Sequence, residues 1–153
     1  MRWLAMLLLA AFQTPQYEQT TVNRERLARS PRHMEYIDVP AGEDDSVTSF
    51  VVHPEQSDAT DSVVVIHTGL AMTPWIQTVA DELAANGYVV VVPDLLSGHG
   101  PDGGGSDSFA SNVAHRVGTP LRFDEADDIR RAMGKLEPDE ITRRLEAAVC
   151  YVR

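Results

Sequence analysis

The sequence predicts an α/β fold, a mostly parallel sheet with flanking helices, and two observations carry that prediction. The runs Ser-Val-Val-Val-Ile-His-Thr-Gly at 62–69 and Tyr-Val-Val-Val-Val-Pro-Asp-Leu-Leu at 88–96 are apolar and β-branched without alternation. Such runs fit strands covered on both faces, because a strand with one wet face alternates apolar with polar. Between them lies a single amphipathic helix pattern, and the whole unit has the length that a right-handed crossover requires. Chemistry in such sheets gathers beyond the carboxyl ends of the strands, which directs attention to His67-Thr68-Gly69 and to residues 94–105.

In chain order, Met1-Arg2 followed by the apolar residues 3–12 has the form of a secretory leader. Residues 1–12 are therefore expected to be a signal peptide and the chain to be exported, to a periplasm or outside the cell. This stretch is too short to span a bilayer, and nothing later approaches the roughly 20 apolar residues of a membrane helix. Residues 13–32 are polar, charged and without clear periodicity, as in a linker or a loosely packed N-terminal arm. The folded domain is expected over 33–153. Residues 35–39 and 47–53 form two short strands around the turn-rich 40–45, an antiparallel pair at the sheet edge. A polar loop follows at 54–61. The crossover helix begins at Thr73 as N-cap with Pro74 in the first turn, where its missing N–H costs nothing. Ile76, Val79, Ala80, Leu83 and Ala84 make its buried stripe, and Gly87 ends it in a left-handed conformation. Residues 97–106 are a glycine-rich loop without propensity for regular structure. A helix at 124–133 turns Ile129 and Met133 inward. A better one at 138–153 aligns Ile141, Leu145, Ala148, Val149 and Val152 opposite Asp139, Arg143 and Glu146. No strand-turn-helix able to carry a nucleophile follows, so the domain is read as truncated before its nucleophile strand, and an open apolar edge in such a fragment favours self-association.

Composition and single residues exclude several functions. With 13 basic and 23 acidic residues the net charge is −10, which repels phosphate backbones and argues against sequence-independent nucleic-acid binding. Cys150 is the only cysteine, so no intramolecular disulfide exists. Counting around the last helix places Cys150 about 180° from the apolar stripe and toward a helix C-terminus, where the dipole disfavours a thiolate. It is read as a surface thiol without a catalytic role. Gly98-x-Gly100-x-x-Gly103 matches a dinucleotide fingerprint in form only. Pro101 removes a donor, Asp102 puts a negative charge where a pyrophosphate would sit, and no helix pattern opens after Gly103. No cofactor is predicted. The histidines His33, His53, His67, His99 and His115 show no metal-ligand spacing, so no metal site is predicted. His67, closing a buried strand, is read as a hydrogen-bonded structural residue, and His99 as a solvated loop residue.

Gly69 stands where a hydrolase of this architecture takes one oxyanion-hole N–H, the turn after the first strand of the unit. Its simpler use is to permit a tight turn into the helix at Thr73, and the spacing leaves both readings open.

Val63-Val-Val-Ile-His67, Pro74-Trp75-Ile76, residues 79–84, Gly87-Tyr88 and Pro93-Asp94-Leu95-Leu96-Ser97-Gly98 together resemble the N-terminal half of the dienelactone hydrolases. Ser30-Pro31-Arg32-His33 and Pro138-Asp139-Glu140 are similar to exported members of that family in the same order, so that the resemblance spans about 30–153. It implies an α/β-hydrolase fold and hydrolysis of a lactone or carboxylic ester, a small-molecule substrate, by a Cys-His-Asp triad. In that family the cysteine sits in a Gly-x-Cys-x-Gly elbow after the helix corresponding to 138–153, with the aspartate and histidine later. None of the three has a counterpart here. Thr68 stands where the family often has a glutamate that interacts with the resting cysteine, and it supplies no such charge. The sequence therefore predicts a dienelactone-hydrolase-like hydrolase present as a fragment, inactive alone. The alternative is a non-catalytic α/β module that binds a ligand or partner through the loop 97–108.

Overall fold

The computed structural model of the chain describes residues 15–56, 61–109 and 123–152. The leader expected at 1–12 lies outside the described residues. Strands β1 (Met34–Pro40), β2 (Ser46–Val52), β3 (Ser62–Val64) and β4 (Val89–Pro93) form one sheet, and helices α1 (Pro15–Ala28), α2 (Pro74–Ala85), α3 (Phe123–Met133) and α4 (Pro138–Tyr151) flank it. The strand order is β1-β2-β4-β3. β3 and β4 pair in parallel, the β-α-β unit of the two apolar runs, and the hairpin β1-β2 adds antiparallel pairings on the other side of β4.

The uninterrupted valines of β4 have a direct structural use. Successive side chains of a strand point to opposite faces. Val90 and Val92 pack under α2 with Ile76, Ala80, Ala84, Phe50 and Val52, whereas Val91 packs under α4 with Val51 and Ala148. Helices on both faces leave no wet side for a polar residue to occupy. Burying each such valine contributes roughly 1.5–3 kcal/mol. A third cluster, of Ala71, Leu95, Leu96, Phe109, Ile129, Ala132 and Leu136, closes the sheet at the carboxyl end of β4.

Local signals set the element ends. Thr73 has extended backbone and Pro74 opens α2, although the Thr73 side chain makes no capping hydrogen bond. Gly87 adopts φ +94° and turns the chain into β4, a conformation glycine takes without steric penalty. β3 is shorter than its apolar run. After Val65, whose N–H donates to Val91 O at 2.8 Å, the ladder ends because His67 turns inward and bonds the main chain beyond β4 instead.

Within the stretch 13–32, expected to be a linker or a loosely packed arm, Pro15–Ala28 is the helix α1. It carries no apolar stripe for periodicity to detect. Its attachment is polar: Arg26 pairs with Glu82 at 2.6 Å, and just past the helix Ser30 Oγ donates to Asp81 Oδ1 at 2.6 Å. Arg32 forks onto the same carboxylate, Nε to Oδ1 at 2.6 Å and Nη2 to Oδ2 at 2.9 Å. Asp81 is only 2 % exposed. Burial alone would raise its pKa, but the hydrogen bonds from Arg32 and Ser30 overcome that and hold the carboxyl below the usual carboxylate range.

Candidate active site

Asp94, the first residue after β4, organises the carboxyl end of the sheet. Its Oδ1 accepts the Leu96 N–H at 3.0 Å and the Ser106 hydroxyl, and its Oδ2 accepts the Ser106 N–H at 2.7 Å. Ser106 Oγ in turn accepts the Met72 N–H at 3.2 Å. Ser97 Oγ donates to Asp94 O at 2.7 Å and accepts the Thr48 N–H at 2.9 Å. One buried carboxylate thus ties the loop after β4 to the turn between β3 and α2, while the neighbouring serine ties the same loop to β2.

The loop expected to be without regular structure is therefore ordered, with 3-10 turns at Pro101–Gly103 and Ser106–Ser108. Its glycines allow close packing. A Cβ at Gly105 would sit 2.5 Å from Asp94 Oδ2, and one at Gly100 would sit 2.6 Å from Gly105 O. The Gly100 N–H donates to Gly104 O and the Gly103 N–H to Gly100 O, so these two donors of the formal dinucleotide fingerprint serve the loop itself. His99, read from sequence as solvated, is bound: its Nε2 lies 2.6 Å from Glu140 Oε1. Glu140 also pairs with Arg144 at 3.0 Å. Arg144 is 4 % exposed and grips Asp45 through Nη2 at 2.8 Å and Nε at 3.3 Å, with Nη1 donating to Leu95 O at 2.8 Å. The hydrogen bond from Arg144 holds Asp45 below the usual carboxylate range despite its partial burial.

His67 uses both ring nitrogens within the protein. Nε2 faces the Leu95 N–H at 3.1 Å and therefore accepts; Nδ1 then carries the proton and donates to Thr68 O at 2.9 Å. Its side chain is fully buried, with Nε2 also 3.7 Å from Asp94 Oδ1. The ring is a neutral strut, as its place at the end of a buried strand suggests.

The turn that follows contains both predicted site residues. Thr68 is exposed, and its side chain is occupied locally, Oγ1 accepting the Leu70 N–H at 3.3 Å. Thr68 O also accepts the Ala71 N–H at 2.9 Å. The residue in the left-handed region is Ala71, at φ +66° and fully buried, a conformation that costs a non-glycine residue about 1–3 kcal/mol. Gly69 is not in that region, and a Cβ built on it meets nothing within 4 Å. The turn thus does not require glycine at 69 for its backbone. Gly69 is exposed, and no acceptor among the described residues takes its N–H. Ile66, Leu70 and Trp75, on either side of it in the chain, are exposed apolar residues. Sequence reasoning located this turn but missed the Asp94–Ser106 clamp beneath it; the available signal was an acid directly after a buried strand with serines at 97 and 106.

Residues 47–153 match the dienelactone hydrolase family. The chain is also similar to a protein of Escherichia coli (strain K12) named "Putative hydrolase fragment YghX", with 37 % identity over 78 residues that cover 48 % of this chain and 64 % of that protein. The match thus spans just under two thirds of that relative's length.

Proposed function

Because the chain belongs to the dienelactone hydrolase family, we propose that it carries the substrate-carbonyl side of a hydrolase acting on a lactone or carboxylic ester. Gly69 is the residue that would stabilise the oxyanion. The observation that supports this most is the Gly69 N–H, exposed and without an acceptor among the described residues, in a turn held by His67 and by Ser106 on Asp94. In ester hydrolysis a nucleophile adds to the carbonyl carbon, the π electrons move onto oxygen, and the alkoxide leaves when the tetrahedral intermediate collapses. One N–H of the oxyanion hole comes from this turn and the other from the residue after the nucleophile. Such a donor is worth roughly 2.7–4 kcal/mol, felt only when a nucleophile is present.

These 153 residues contain no Gly-x-Cys-x-Gly or Gly-x-Ser-x-Gly. Cys150 is exposed near the end of α4 and is no substitute for an elbow. The proposal therefore includes inactivity of these residues alone. Purified residues 1–153, assayed with p-nitrophenyl acetate and a dienelactone, are expected to show no saturable turnover, in the wild type as in Cys150→Ser. Saturable turnover abolished by Cys150→Ser would overturn it. A second reading, a ligand- or partner-binding module, draws on the ordering of the loop after β4 beside exposed Ile66, Leu70 and Trp75. Export is part of the proposal and rests on the sequence of residues 1–12; cell fractionation with N-terminal sequencing tests it. No helix among the described residues is long and apolar enough to cross a membrane.

A further inference from the structure

We propose that His33, Glu35 and His53 form a binding site for one divalent transition-metal ion, Zn²⁺ by the chemistry of its donors, which clasps the open end of the β1-β2 hairpin. His33 immediately precedes β1 and His53 immediately follows β2, and the His53 N–H donates to His33 O at 3.0 Å, extending the ladder by one pair. Glu35 is two residues beyond His33 and so emerges on the same face. Its Oε1 lies 3.2 Å from His53 Nε2 and 3.6 Å from His33 Nε2, and one ligand atom from each of the three residues lies within 4.8 Å of the others. The two imidazole rings are 5.5 Å apart between centroids.

These separations suit an ion. A tetrahedral Zn²⁺ with bonds of about 2.0–2.1 Å holds its ligand atoms about 3.3–3.4 Å apart. Both nitrogen-to-oxygen distances are already within a few tenths of an ångström of that value, and swinging exposed His33 closes the third. Two imidazoles and one carboxylate form a borderline donor set that suits Zn²⁺ and leaves the fourth position to water. The backbone under the ligands is restrained on both strands. Arg32, next to His33, is forked onto Asp81, and Pro54 follows His53. The acidic charge of the chain also favours a cation.

The position decides the role. β2 runs antiparallel to β4, so His53 lies at the end of the sheet where β4 begins, while Gly69 and Asp94 lie where the parallel strands finish. The ion would fasten β1 to β2 and take no part in ester chemistry, and the proposal stands apart from the reading of Gly69.

The test is a calorimetric titration of ZnSO₄ into the tag-free chain, repeated with Co²⁺ to record its visible ligand-field spectrum. The expected result is one ion per chain, and a melting temperature raised by roughly 5–10 °C when free zinc is about 100 times Kd. Affinity should fall by at least about 10-fold in His53→Ala and in Glu35→Gln. All three side chains are at least partly exposed, so these variants are expected to fold. Absence of saturable binding to the wild type overturns the proposal whatever the variants do. So does binding that survives a His33→Ala, His53→Ala double variant, or that disappears in Cys150→Ser.

Discussion

Asp94 accepts three hydrogen bonds at one buried carboxylate, two from main-chain N–H groups and one from a hydroxyl. Hydrogen bonds to a charged group each contribute about 1.5–3 kcal/mol, and a buried donor left unpaired costs about 1–3 kcal/mol. Asp94→Asn keeps the volume but replaces one acceptor oxygen by an amide NH₂, which cannot receive the Ser106 N–H in the native geometry. The expected loss is roughly 2–4 kcal/mol in urea unfolding. Asp81 gives a second, pH-dependent case. Its native pKa lies below the unfolded value, so the native state binds fewer protons under acid conditions. The stabilisation is fully present above the unfolded pKa of about 3.9 and is lost as pH falls through the depressed native value. Asp45, held by Arg144, acts in the same sense. Asp81→Asn should cost about 1–3 kcal/mol at pH 7, because the part-buried Arg32 and Ser30 lose a charged acceptor while Arg32 keeps Glu55. Its urea midpoint should also fall less between pH 7 and pH 3 than that of the wild type. Equal falls would show that the Arg32 fork is not the source of the acid sensitivity.

Among the elements, those built on apolar patterning were the most legible from sequence. The valine run of β4, the stripe of α2 and the hairpin strands lie within a few residues of their predicted places, because each buries a face whose period is written in the chain. α1 was not legible, since Arg26, Ser30 and Arg32 dock it through long-range polar bonds that leave no period. Arg144 was hidden for the same reason beside the outward-facing Arg143. The pairing of His33 with His53 follows from the observed register, in which Met34 faces Val52, and was not legible because their spacing along the chain resembles no metal motif. β3 is the element with the clearest liability. It bonds only to β4 among the described strands, its valines are half-buried, and Ile66 beyond it is exposed. An open apolar edge templates further pairing. Sedimentation velocity should show concentration-dependent association that Val63→Lys reduces; a monodisperse wild-type monomer would count against this.

At the scale of the molecule, helices cover both faces of a single sheet, and the turn bearing Gly69 lies at the end where the parallel strands finish. That end was legible because it follows from strand direction. Its supporting carboxylate network was not, because hydrogen bonds between segments follow from the fold and not from local pattern. If the family reading holds for activity, the neighbouring nucleotide sequence, read in all frames, should encode a Gly-x-Cys-x-Gly or Gly-x-Ser-x-Gly elbow, with Asp and His after it. In a product that includes that elbow, Gly69→Pro removes the N–H and should lower kcat about 10²–10³-fold. Gly69→Ala retains the N–H in open space and should leave kcat within a few-fold of wild type. Comparable loss in both variants would assign Gly69 a role in the turn alone, and no elbow in any frame would favour the binding-module reading.

The grip of Arg144 on Asp45 joins residues 99 positions apart, and this has a consequence on the ribosome. Translation adds about 5–20 residues per second, so the hairpin turn bearing Asp45 waits roughly 5–20 s for its partner to be synthesised. During part of that interval Val51 and its neighbours have neither β4 beside them nor α4 above them. Until α4 exists the hairpin therefore presents an incompletely covered apolar face, and slow synthesis lengthens its exposure. The yield of folded protein should depend on how quickly the ribosome reaches α4.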